Sequence, residues 1–219
     1  MSENKQYKIL VFGPQASGKG TQVEFLSKEL NIPIFSMGSS LRQRAEIDDE
    51  LGQEIKSLID KGIFAPDDVV ARIIMEKIEK EGQNGYILDG YPRSLIQAEF
   101  FNNKEKLTHV LEIYISDDEA IRRVTGRRTC TKCETIYHTE FLKPKQEGFC
   151  DKCGGQLVVR EDESEETLKI RLNTYHKTTE PLVDYYTNQG ILIKINGEQS
   201  IEDVKKEIFK KLNLSSSAL

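Results

Sequence analysis

No stretch of this 219-residue chain approaches the ~20 consecutive apolar residues that a membrane-spanning helix needs. The polar start, Met1 to Gln6, also lacks the apolar centre of a secretory leader. These absences lead us to expect a cytoplasmic protein with no membrane partner. An excess of positive charge is missing too: 31 Lys and Arg face 36 Asp and Glu, and a formal net charge of -5 argues against general nucleic-acid binding. Any anion-binding field must therefore be focused on one place. Cysteine is scarce, but the 4 present fall in two close pairs, which in a reducing compartment suggests metal ligation more than disulfides. No internal repeat is found. The length suffices for one α/β domain with insertions, and two independent domains are not required.

The most informative stretch runs from Lys8 to Thr21. The apolar run Ile9, Leu10, Val11, Phe12 stops at Gly13, and Gly18, Lys19, Gly20 and Thr21 follow. An apolar strand that breaks at glycine and passes into a helix gathers backbone N–H groups and the positive helix end around one point. Lysine at that end opposes the helix dipole unless an anion is present, so the segment reads as a phosphate-binding loop. The common pattern has Ser or Thr directly after the lysine; here Gly20 sits there and Thr21 comes one place later.

Strand-like runs recur at Ile9 to Phe12, Tyr86 to Leu88, Val110 to Ile115 and Ile191 to Ile195, with a shorter one at Ile34 and Phe35. Helical patterns lie between them. Val23, Leu26 and Leu30 mark one face of Lys19 to Leu30, and Pro66 with Asp67 and Asp68 opens a helix expected to turn Val69, Ile73 and Ile74 inward. Strands alternating with helices predict a parallel sheet. Two segments break the rhythm, Ser36 to Pro66 and Arg127 to Arg160, and both read as insertions over the strand ends, where open α/β sheets bind ligands. Ser215 to Leu219 reads as a loose tail.

Cys130 and Cys133 are two residues apart, as are Cys150 and Cys153. Each such turn can aim two thiolates at one ion, and two of them close a tetrahedral shell with no open position, so the site is structural. Zinc suits four soft ligands, and iron fits the same shell. His138 reads as a packing or hydrogen-bonding residue of the same module. His109 and His176 read as packing or surface residues.

Further motifs are Asp89, Gly90, Tyr91, Pro92, Arg93 with Gln97 and Ala98, then Gly126, Arg127, Arg128, then Arg160 and Arg171. Together with Gly18 to Thr21 they resemble adenylate kinases over nearly the whole chain, in the long form with a zinc-binding lid. The resemblance implies an α/β P-loop fold of three layers around a five-stranded parallel sheet. It also implies a helical nucleoside-monophosphate-binding insertion at 36–66, a small metal-binding lid at 127–160, and a core of 1–35, 67–126 and 161–219. The implied reaction converts ATP and AMP to two ADP with magnesium, in a monomer whose partners are those nucleotides.

The same resemblance assigns residues. Gly13, Gly18, Lys19, Gly20 and Thr21 would hold the donor phosphates, with Arg123 and Arg127 completing the ATP site and Arg123 stacking on the donor base. Met37, Arg42, Phe64, Gly90, Arg93, Gln97, Arg160 and Arg171 would form the AMP site. Lys19, Asp89, Arg93, Arg127, Arg160 and Arg171 would act in catalysis. The chemistry agrees: bringing two polyanions in line requires cations, orientation and dryness, and arginine binds phosphate oxygens bidentately without losing its charge. Asp89 ends a strand where a carboxylate can hold magnesium through water. The amide of Gln97 suits an adenine edge. The acidic run Glu161 to Glu166 reads as a solvated face, or as a helix cap through Asp162 and Ser164.

Four positions depart from the family's usual residues: Ala16 for glycine, Met37 for threonine, Ser39 for aspartate and Ile63 for lysine. They motivate two alternatives, a kinase for another nucleoside monophosphate and a nucleotide-binding regulator without turnover.

Overall fold

The computed structural model describes residues 6–60, 65–159 and 165–214. In chain order the elements are β1 (Tyr7–Phe12), α1 (Lys19–Leu30), β2 (Ile34–Ser36), α2 (Met37–Ala45), α3 (Glu50–Asp60) and α4 (Asp67–Glu81). Then come β3 (Gly85–Asp89), α5 (Leu95–Asn102), β4 (His109–Tyr114), α6 (Asp117–Thr125), β5 (Arg127–Cys130), β6 (Ile136–His138) and β7 (Leu157–Val158). The last are α7 (Glu165–Thr174), a π-helical turn (Tyr175–Thr179), α8 (Leu182–Asn188), β8 (Leu192–Asn196) and α9 (Ile201–Lys211).

Five strands form one parallel sheet in the order β2-β3-β1-β4-β8. Successive side chains of a strand point to opposite faces, and here both faces are buried. Leu10 and Phe12 of β1, with Tyr86 and Leu88 of β3, pack on one side against Ala71, Ile74 and Ile78 of α4. Ile9 and Val11, with Ile87, Leu111 and Ile113, pack on the other against Val23 and Leu26 of α1 and Ile208 of α9. Helices on both faces make the three-layer α/β arrangement. The buried stripe of α4 is Val70, Ala71, Ile74 and Ile78, whereas Val69 and Ile73 are only partly buried, so the inward face is rotated from the one the sequence suggested.

β1 lies between β3 and β4: after β1 the chain goes to the edge at β2, returns to β3 beside β1, and then crosses to β4 and β8 on the other side. The crevice outside the carboxyl end of β1 is where such sheets take ligands. Two groups of elements stand over it. α2 and α3 follow β2, and β5, β6 and β7 form a separate antiparallel sheet in the order β6-β5-β7. Among the described residues no helix is long and apolar enough to cross a membrane. Phe64, Ile63, Arg160, Asp162, Ser164 and the Ser215–Leu219 tail lie outside the described residues.

Candidate active site

The loop after β1 starts at Gly13, whose φ is 151° and where an added Cβ would lie 2.1 Å from the Ile113 carbonyl oxygen. Only glycine lets the chain pass β4 this closely. Three residues later Ala16 adopts φ 61°, a left-handed conformation that strains an L side chain, and its methyl packs against the cluster of Ile115, Ala120, Val124, Leu168 and Leu172. That contact offsets part of the cost of having alanine there. Gly18 caps α1 in the left-handed region, and Lys19 opens the helix.

Lys19 folds back over its own loop. Its Nζ donates to the carbonyls of Gly13 at 2.9 Å and Pro14 at 2.7 Å, and to Ser17 Oγ at 3.3 Å. Desolvation in the cleft lowers its pKa to about 8; Asp89 opposes that shift, while Arg93 and Arg127 add to it by repulsion. Burial likewise pushes down on the charged form of Arg93, with Asp89 offsetting and Arg171 reinforcing. Four cations thus crowd one carboxylate. Arg93 is held by its Nε, which donates to the Gly90 carbonyl at 2.6 Å, and its own carbonyl accepts from Thr179 Oγ1 at 2.8 Å in the π-helical turn.

These groups line a cavity of about 830 Å³. Gly13, Gly18, Lys19, Gly20, Thr21, Arg42, Asp89, Gly90, Arg93, Arg123, Arg127 and Arg171 all border it, although they come from the loop after β1, α1, α2, β3 and the turn after it, α6, β5 and α7. Two expected site residues do not border it. Met37 is buried in the core with Phe12, Phe35 and Tyr91. Gln97 is buried and engaged at both ends, accepting from the Arg93 backbone N–H at 2.7 Å and donating to Asp67 Oδ1 at 2.5 Å.

The cavity also has a wall that the motifs did not point to: Arg122, Ile136, His138, Phe141 and Gln199. Arg122 and Arg123 lie over the Phe141 ring at 4.8 and 5.7 Å, and the His138 ring is 4.4 Å from it. His138 Nδ1 accepts from the backbone N–H groups of Glu140 and Phe141, so Nε2 carries the proton and donates to the Arg123 carbonyl at 3.0 Å. It therefore ties the small sheet to the end of α6. The signal in the sequence was Ile136 and Phe141, large apolar residues within a polar, cysteine-bearing segment; the structure leaves both exposed.

The cysteine sulfurs of residues 130, 133, 150 and 153 lie within 4.8 Å of one another. Cys130 and Cys150 are buried beside Tyr137 and Leu157. Burial pushes the Cys150 thiol up, but hydrogen bonds, first from the Tyr137 hydroxyl, bring it down to about 6. This donor set, four sulfurs converging from two turns with a supporting hydroxyl, fits a soft tetrahedral ion.

A family model described as adenylate kinase matches residues 11–191. The chain belongs to the adenylate kinase family. An adenylate kinase from Caldicellulosiruptor bescii is 40% identical over 213 residues, covering 94% of this chain and 99% of that protein. Adenylate kinases from Caldanaerobacter subterraneus subsp. tengcongensis (42% identical, 94% and 96% covered) and Archaeoglobus fulgidus (40%, 91% and 95%) are similar in extent. Family membership accounts for motifs from different ends of the sequence meeting at one adenylate-kinase cavity.

Proposed function

We propose that this enzyme reversibly transfers the terminal phosphoryl group of ATP to AMP, giving two ADP. The observation that carries the reading is the meeting of Lys19, Arg42, Arg93, Arg123, Arg127 and Arg171 around one cavity above β1. An oxygen of the acceptor phosphate attacks the terminal phosphorus, and the bond to the bridging oxygen of the departing ADP breaks. Neither partner needs a protein nucleophile. The protein's task is to set the two phosphates in line and to balance charge as it moves between them.

In this reading the loop amides with Lys19 hold the donor phosphates, Arg42 and Arg93 hold the acceptor phosphate, and Arg127 and Arg171, with Arg160, surround the group in transfer. Arg123 presents its face to the donor base beside Phe141. Asp89 would hold the water shell of a magnesium ion bound with ATP, and that ion would supply charge neutralisation. Zinc is the ion assigned to the four cysteines, with a structural role. The insertion at 36–66 and the lid at 127–160 close over both nucleotides and exclude water. The enzyme acts as a cytoplasmic monomer on free nucleotides, without nucleic-acid or membrane partners; the net charge of -5 supports the first exclusion.

The second reading, another monophosphate as acceptor, is favoured by Met37 lying in the core and by the engagement of Gln97 with Asp67 and Arg93. A coupled assay of ADP formation with AMP, UMP, CMP and GMP decides between the two. AMP is expected to be preferred, and a pyrimidine preference rejects the adenylate assignment. ATP binding without turnover on any acceptor establishes a regulator instead.

A further inference from the structure

Arg42 of α2 is engaged across the mouth of the cavity. Its Nε donates to Glu134 Oε1 at 2.7 Å and its Nη2 to Oε2 at 3.0 Å, a two-pronged pairing between residues 92 positions apart. Glu134 directly follows Cys133 in the turn between β5 and β6, so this contact joins the small sheet to the helices over the other side of the cleft. Two parallel N–H bonds to two oxygens are also how a guanidinium takes a phosphate.

The backbone indicates that a glutamate at 134 is not there for the turn. The second cysteine turn is built the same way: Glu134 N–H donates to the Cys130 carbonyl at 3.1 Å, and Gly154 N–H to the Cys150 carbonyl at 2.8 Å. Both residues are left-handed, with φ 56° at Glu134 and 69° at Gly154. Glycine takes this conformation freely and glutamate does not. The Glu134 side chain is half exposed, so burial does not repay the strain. Its carboxylate has a use outside the turn, and the partner it reaches is a cavity-lining arginine.

We propose that Glu134 is a resident competitor for the acceptor phosphate: it occupies the Arg42 fork while the acceptor site is empty and the lid is down, and the incoming monophosphate displaces it. The inference rests on the reading of Arg42 as an acceptor-phosphate ligand. Glu134 then sets acceptor affinity without touching the reacting atoms, and it is a positioning residue in that sense. Exchanging one anion for another at Arg42 avoids a bare cation in the closed cleft and prevents the acceptor from binding too tightly for the product to leave.

The test is calorimetric titration of AMP into the full-length, zinc-loaded protein held closed by saturating β,γ-methylene ATP. Glu134→Gln and Glu134→Gly are expected to tighten AMP by about two- to fivefold, the scale of a well-oriented surface ion pair. Affinity for the ATP analogue should stay unchanged, and zinc content checks the cysteine turn. If the glycine variant loses zinc, the glutamine variant decides. Arg42→Ala is expected to weaken AMP about tenfold or more. Unchanged AMP affinity in Arg42→Ala overturns the Arg42 assignment and this inference with it. Weakened AMP in Arg42→Ala alongside unchanged or weaker AMP in Glu134→Gln overturns the role of Glu134 alone.

Discussion

Lys19 carries its charge into a cleft that opposes it until a polyanion arrives. With a pKa lowered to about 8 by burial, it binds fewer protons than the same residue in the unfolded chain, whose value is near 10.5. Its contribution to the stability of the unliganded fold therefore rises as pH climbs from about 8 to 10.5. Nucleotide binding runs the other way. ATP affinity is expected to fall as pH rises above 8, and calorimetry in buffers of different ionisation enthalpy should show proton uptake on binding there. Lys19→Ala and Arg93→Ala should each lower turnover by about 10²- to 10³-fold with unchanged circular dichroism. Rates near wild type in either would remove that residue from the transfer step. Lys19 was legible in the sequence because its spacing from the strand and glycines admits few other uses. Met37 and Gln97 were less so, since a residue one position from the cavity looks the same in a motif as one facing it.

At the scale of elements, the sheet of β5, β6 and β7 offers few large apolar residues to hold itself together, and the proposed four-thiolate metal site would take over that task. Cys130→Ser is expected to lower bound zinc, measured by elemental analysis. It should also lower the melting temperature by roughly 4–8 °C, the equivalent of about 2 kcal/mol in a chain of this size, while donor binding to the core is retained. An unchanged melting profile with unchanged metal would contradict the four-thiolate site. A second element-level link is His176, which bridges Glu180 at 2.9 Å and Asp117 at 3.0 Å, joining the π-helical turn to the start of α6. The Glu180 hydrogen bond and then that of Asp117 raise its pKa, against some desolvation. The stabilisation is complete below pH 6.5 and is lost as pH rises through the raised value. Since the side chain is 43% exposed, the effect is under about 1 kcal/mol. His176→Gln should flatten that part of the pH–stability curve. The five core strands, α1 and the start of α4 were readable to within a residue or two from apolar runs and from Pro66, whereas α5, α6, α8 and α9, with weaker apolar patterns in the sequence, received no bounds. The π-helical turn was not, because its hydrogen-bond pattern depends on packing beside Arg93 and leaves no periodic mark.

For the whole molecule, net charge and local field have opposite signs. A chain of formal charge -5 gathers at least six cationic side chains around one cavity. Attraction of ATP should therefore be local and sensitive to salt. Raising ionic strength from about 0.05 to 0.5 M is expected to weaken ATP binding by about tenfold, while a neutral nucleoside is unaffected. Equal salt dependence for both would deny the focused field. The family architecture was legible because each motif is short and rigidly spaced. The pairing of Arg42 with Glu134 was not, because 92 residues separate them and no local rule brings them together.

The order β2-β3-β1-β4-β8 has a further meaning for synthesis. The first strand to leave the ribosome is the central one, and its row of hydrogen-bonding groups waits for β3 and β4 before either edge is covered. β8, which seals the far side of β4, is made only near residue 196. A nascent chain halted before that point would present β4 as an open, apolar edge, a natural docking place for chaperones or for another stalled copy.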